Sequence, residues 1–140
     1  MFSITRNFAM SHQIKIPLIF MPVQAGFPSP ADDFIETKLS LDEHLITNPP
    51  ATFFVRVTGN SMIDMQILSG DLLIVDRSIE AKNNAVIVAI LNGDFTVKIF
   101  RKEQNQVKLY PANQQFKPIT IKSDDEFQVW GVVTYVVHKT

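Results

Sequence analysis

From residue 51 onward, apolar and polar positions fall into short runs of β character. TFFVRV (52–57) is rich in aromatic and β-branched residues, and DLLIVD (71–76) is an apolar run bounded by turn residues. NAVIVAIL (84–91) and DFTVKIF (94–100) are separated by Asn92-Gly93. That dipeptide is a strong local hairpin signal, because both residues accept the positive φ that a tight type I′ turn demands. QVKLYP (106–111), PITIK (118–122) and FQVWGVVTYVV (127–137) complete the series. Several short strands at this spacing predict a mainly β domain, a compact barrel or sandwich.

Residues 1–50 have a different character. They hold six of the eight prolines and show little clean periodicity. In GFPSPADD (26–33), Pro28 and Pro30 lack backbone donors and bias the residues before them away from helix, so the stretch reads as extended or turning chain. LSLDEHLI (39–46) predicts one or two helical turns, with Leu39, Leu41, Leu45 and Ile46 apolar. Ser40 stands three residues before Glu43, the pattern of a capping box. The expected organisation is an N-terminal arm segment (1–25), a remaining arm or linker (26–50) and a β domain (51–140). An arm of this kind packs on the body, reaches a partner or is cut.

Composition removes several function classes. A chain of 140 residues has the usual size of one domain. It contains no cysteine, which excludes disulfides, thiolate metal sites and cysteine nucleophiles. His12, His44 and His138 are scattered without metal-ligand spacing, so no metal or other cofactor is expected. The net charge of −1, without a lysine/arginine cluster, argues against direct sequence-specific DNA binding. No apolar run reaches the length of a membrane span. IPLIFMPVQA (16–25) has some features of an export signal, but the apolar stretch is short and carries Pro17 and Pro22. A cytoplasmic protein is expected. Ala25-Gly26 nevertheless looks like a cleavable bond.

VTGNSMID (57–64) raises the chemical question. Gly59 permits a left-handed backbone and Asn60 tolerates one, so the corner could present the Ser61 hydroxyl and turn successive N–H groups outward. That is the geometry of an oxyanion hole, although an ordinary strand-end turn has the same letters. A serine needs a base to become a nucleophile. His12 lies in the arm, His44 in the helix-like stretch and His138 in the last, fraying residues, so none suits. Lys98, in FTVKIF, is the better candidate. A lysine with an ordinary pKa of ~10.4 is under about 0.1% neutral at pH 7, so it needs burial to serve as a base. Without a partner it would be a lysine on a solvated strand face, its stem on Phe100.

These motifs resemble those of the UmuD family, self-cleaving Ser-Lys peptidases related to the C-terminal domain of the LexA repressor. GFPSPADDFIE resembles the segment after that family's cleavage site, GNSMID and SGDLLIVD its nucleophile region, and GDFTVKIF the strand carrying its base. The separation of Ser61 and Lys98, 37 residues, is similar to the family's spacing. FQVWGVVTYVV resembles the closing strands. The resemblance implies a LexA-type β peptidase fold, Ser61 as nucleophile and Lys98 as general base. It implies an oxyanion site at the N–H of Ser61 with that of Asn60 or Met62, and cleavage between Ala25 and Gly26. Many relatives carry cysteine before that glycine; alanine is the LexA-type residue. It further implies a homodimer active after DNA damage, stimulated by RecA filaments on single-stranded DNA. Its 26–140 product would join a UmuC-type translesion polymerase. IPLIF (Ile16–Phe20) resembles a sliding-clamp-binding segment, although Leu18 and Phe20 could instead anchor the arm on the body. Two other readings remain: a non-cleaving dimeric polymerase- and clamp-binding module, and a signal-peptidase-like Ser-Lys protease.

Overall fold

The computed structural model describes residues 14–20 and 35–140. Two units divide at Thr47/Asn48.

In the first unit, β1 (Lys15–Ile19) pairs antiparallel with β2 (Ile35–Ser40), and α1 (Leu41–Leu45) follows. The proline-marked stretch therefore holds regular structure that its composition hides. Pro17 lies opposite Lys38 within the ladder. A two-stranded sheet consists of two edge strands, so a residue without an N–H can face outward at no cost in pairing. The capping box does not form: Ser40 sits at the N-cap but makes no side-chain capping bond. It is also the last residue of β2, where it is buried.

The second unit is a seven-stranded antiparallel sheet ordered β3-β4-β9-β5-β6-β7-β8. Its strands are β3 (Thr52–Arg56), β4 (Leu72–Asp76), β5 (Val86–Leu91), β6 (Asp94–Glu103), β7 (Gln106–Tyr110), β8 (Ile119–Thr120) and β9 (Phe127–Val137). The mainly β fold expected from the sequence is present. Asn92 and Gly93 take φ of 50° and 87°, the tight turn between β5 and β6. Gln104 and Asn105 (49° and 63°) turn β6 into β7 without any glycine.

Alternating residues supply two apolar cores. On β5, Val88 packs with Val57, Met62, Leu73 and Val75, while its neighbours Ile87 and Ala89 pack with Phe100, Leu109 and Val132. Strand periodicity sends successive side chains to opposite faces, and both faces are covered. β9 is the central organiser, pairing with β4 through its second half and β5 through its first. Its register slips twice, leaving Trp130 extra opposite β5 and Thr134 extra opposite β4. Such bulges bend a strand and increase its twist. The sheet curls accordingly. The chain leaving β3 meets the chain leaving β7, with the Asp64 N–H donating to Ala112 O (2.6 Å) and Asn113 Nδ2 to Asn60 O (2.8 Å).

Candidate active site

The curl places Ser61 beside Lys98. Ser61 follows β3 at one margin of the sheet, and Lys98 lies on β6, four strands away in the ladder order. Gly59 turns the exiting chain with φ of 91°. Asn60, in contrast, stays out of the left-handed region; the left-handed residue that closes the following 3-10 turn is Gln66. Met62 is buried in the core immediately after the serine and fixes the corner from beneath.

The Lys98 ammonium donates to Ser61 Oγ (3.1 Å), Thr96 Oγ1 (2.7 Å) and the Val97 carbonyl (3.1 Å). Its three protons therefore have three acceptors. Only 8% of Lys98 is exposed, and burial lowers its pKa from the ordinary 10.5. Here the solvated strand face expected of an isolated lysine is replaced by a buried amine. β6 has β7 beside it only from Ile99 onward, so Lys98 ends the stretch flanked by β5 alone. A neutral amine held in the same place can keep Thr96 Oγ1 and Val97 O as acceptors for its two N–H bonds and turn its lone pair toward the Ser61 hydroxyl. Thr96 is thus the orienting group. Its place two residues before Lys98, on the same strand face, is visible in the sequence; its contact is not.

Gly59, Ser61, Met62, Val55, Val57, Phe95, Thr96 and Val97 line a cleft of about 170 Å³ beside the serine. An aromatic group stands next to it: Trp130 meets Phe53 and Phe95 edge-on, and the Arg77 guanidinium lies 4.7 Å over the indole. Among the described residues, the N–H of Ser61 has no protein acceptor. Of the two described histidines, His44 and His138, it is His138 that makes a side-chain bond. Its Nδ1 lies 2.6 Å from Asp71 Oδ1, so the segment expected to fray is tied down. Ala25 and Gly26 lie outside the described residues, as does His12. Ile16, Leu18 and Phe20 are exposed along and just beyond β1. Among the described residues, no three metal-ligating side chains converge, and no helix is long and apolar enough to cross a membrane.

The structure thus brings together two of the residues singled out in the sequence motifs, Ser61 and Lys98, at a glycine corner of a curled β sheet. The peptidase S24-like family model covers residues 17–134. The chain belongs to that family. It is a UmuD-type member of a group of self-cleaving serine peptidases. Protein MucA of Salmonella typhimurium is 40% identical over 122 residues, 86% of this chain and 83% of that protein. Protein SamA of Salmonella typhimurium LT2 is 39% identical over 128 residues, 91% and 89% of the two chains. The LexA repressor of Bordetella avium is 38% identical over 125 residues, 89% of this chain but 58% of the repressor.

Proposed function

We propose that this S24-like peptidase cuts its own chain between Ala25 and Gly26, with Ser61 as nucleophile and Lys98 as general base. The observation that carries the reading is the 3.1 Å contact between a buried lysine amine and the serine hydroxyl. Neutral Lys98 accepts the Ser61 proton as Oγ forms a bond to the Ala25 carbonyl carbon. The carbonyl oxygen takes up the negative charge and is met by the N–H of Ser61, with that of Asn60 or Met62. The C–N bond to Gly26 then breaks, and Lys98 returns the proton to the leaving amine. Water attacks the acyl-serine with Lys98 again as base, which frees the carboxylate of Ala25 and the serine.

The reading extends to context through the UmuD-type relatives. Cleavage belongs to the DNA-damage response and is stimulated by RecA on single-stranded DNA. The 26–140 product acts as a dimeric subunit of a UmuC-type error-prone polymerase, and Ile16–Phe20 contacts a sliding clamp before the cut. On this reading the chain comprises a removed arm segment (1–25), a remaining arm (26–50) and a peptidase domain (51–140). The purified 140-residue chain, incubated at about pH 10 or with RecA filaments, is expected to yield a fragment beginning at Gly26 by intact mass. Removing a general base typically costs about 10²–10⁴ in rate, so Lys98→Ala should be slowed by that order and Ser61→Ala should give no fragment. Equal conversion of wild type and Ser61→Ala would overturn the assignment.

A further inference from the structure

The turn behind the serine corner is anchored on a carboxylate that the reaction does not use. Asp71 is 3% exposed, yet both its side-chain oxygens are engaged. Oδ2 accepts the Leu68 N–H (2.9 Å), and Oδ1 lies 2.6 Å from Nδ1 of His138, whose ring is about half-exposed. The Leu68 N–H above all, and then His138, hold this carboxyl below its ordinary 3.8. It is therefore ionised at neutral pH and can only accept, which makes Nδ1–H of His138 the donor.

The turn so fixed grips the chain that leads to Ser61. The Val57 N–H donates to Asp71 O (2.9 Å), and the Gly70 N–H donates to Val57 O (2.8 Å). Gly59 N–H reaches Ser69 Oγ at 3.3 Å. His138 follows β9 directly, and Val137 lies opposite Leu72 at the start of β4. Asp71, at the start of β4, thus joins the end of β9 through its carboxylate and the exit of β3 through its backbone carbonyl. From His138 to the nucleophile the path runs through Asp71, the 68–71 turn and Val57–Gly59. Each step is a hydrogen bond or a covalent link.

We propose that His138 is a positioning residue for self-cleavage: it clamps the Asp71 turn and so keeps Ser61 in register with Lys98. The inference rests on the reading of Ser61 as nucleophile. A buried carboxylate stripped of one partner seeks water or shifts its turn. A displacement of about 1 Å at a reacting group can cost about 10²-fold in rate. The effect here is indirect, so a loss of roughly tenfold is expected.

The test uses the full chain with His138→Ala and His138→Asn. Asparagine places an N–H donor where Nδ1 stands, whereas alanine removes it. First-order formation of the Gly26 fragment is followed from pH 8 to 10.5. Amide hydrogen exchange is measured at Val57, Gly59 and Gly70. His138→Ala should cleave about tenfold more slowly, with the midpoint of its pH–rate curve unmoved, because Lys98 sets that midpoint. Its three amides should exchange faster, and His138→Asn should recover most of both losses. Wild-type rates in His138→Ala, or equal losses in the two variants, would overturn the clamp. A wild type that yields no fragment sinks the peptidase reading alone; unchanged exchange in His138→Ala then still rejects the clamp, and faster exchange reversed by asparagine still supports it.

Discussion

Burial of the Lys98 amine makes folding stability depend on pH in the alkaline range. Its pKa in the folded chain lies below 10.5, the value the unfolded chain regains. Between those two values the unfolded state binds more protons, so stability rises with pH across that window. Lys98→Met should lack the rise. Urea midpoints of both proteins from pH 7 to 10.5 check this; curves that stay parallel would show that the amine is not desolvated. Ser61 and Lys98 are singled out by a family resemblance spread over several motifs; the glycine corner and the apolar-flanked lysine, each alone, read as an ordinary turn and a solvated lysine. The hydrogen bonds from Lys98 to Thr96 and Val97 leave no mark in the letters, since they depend on the rotamer of one long side chain. His138 was misleading for the same reason: a residue near the end of a chain looks unattached until its partner, distant in sequence, is placed.

At the scale of elements, the bulged strand β9 does the most. FQVWGVVTYVV was legible to the residue as Phe127–Val137, because a run dominated by aromatic and β-branched residues and bounded by polar turns leaves little freedom. Its two register slips were not legible, since a bulge is a relation between strands and not a property of one. Gly131 lies directly beside the first slip. A Cβ there would sit 2.5 Å from Val75 Cγ1, inside the core. Overpacking of this kind typically costs about 1–3 kcal/mol. Gly131→Ala should therefore lower the urea midpoint by a matching amount; an unchanged midpoint would mean that β9 and β4 part without penalty. β1 escaped the hydrophobic pattern for the opposite reason. Pro17 normally argues against a strand, and the argument fails when both strands of a sheet are edges.

At the scale of the molecule, the β class followed from periodicity, whereas the meeting of β3 and β7 did not. Curling is the sum of small twists that no local window contains. Its result is that Ser61 and Lys98 reach each other only when the strands between them in the sheet are in place. Those strands are not consecutive in the chain: β9, which lies between β4 and β5 in the ladder, is made last. A ribosome therefore releases Ser61 and Lys98 well before it releases the strand that unites them. On the proposed reading of this pair, the cut waits for β9, and a chain stopped short of that strand keeps its arm. A chain stopped before Phe127 should leave Ala25-Gly26 intact at pH 10, and a Gly26 fragment from it would show that two separate halves can find each other without the central strand.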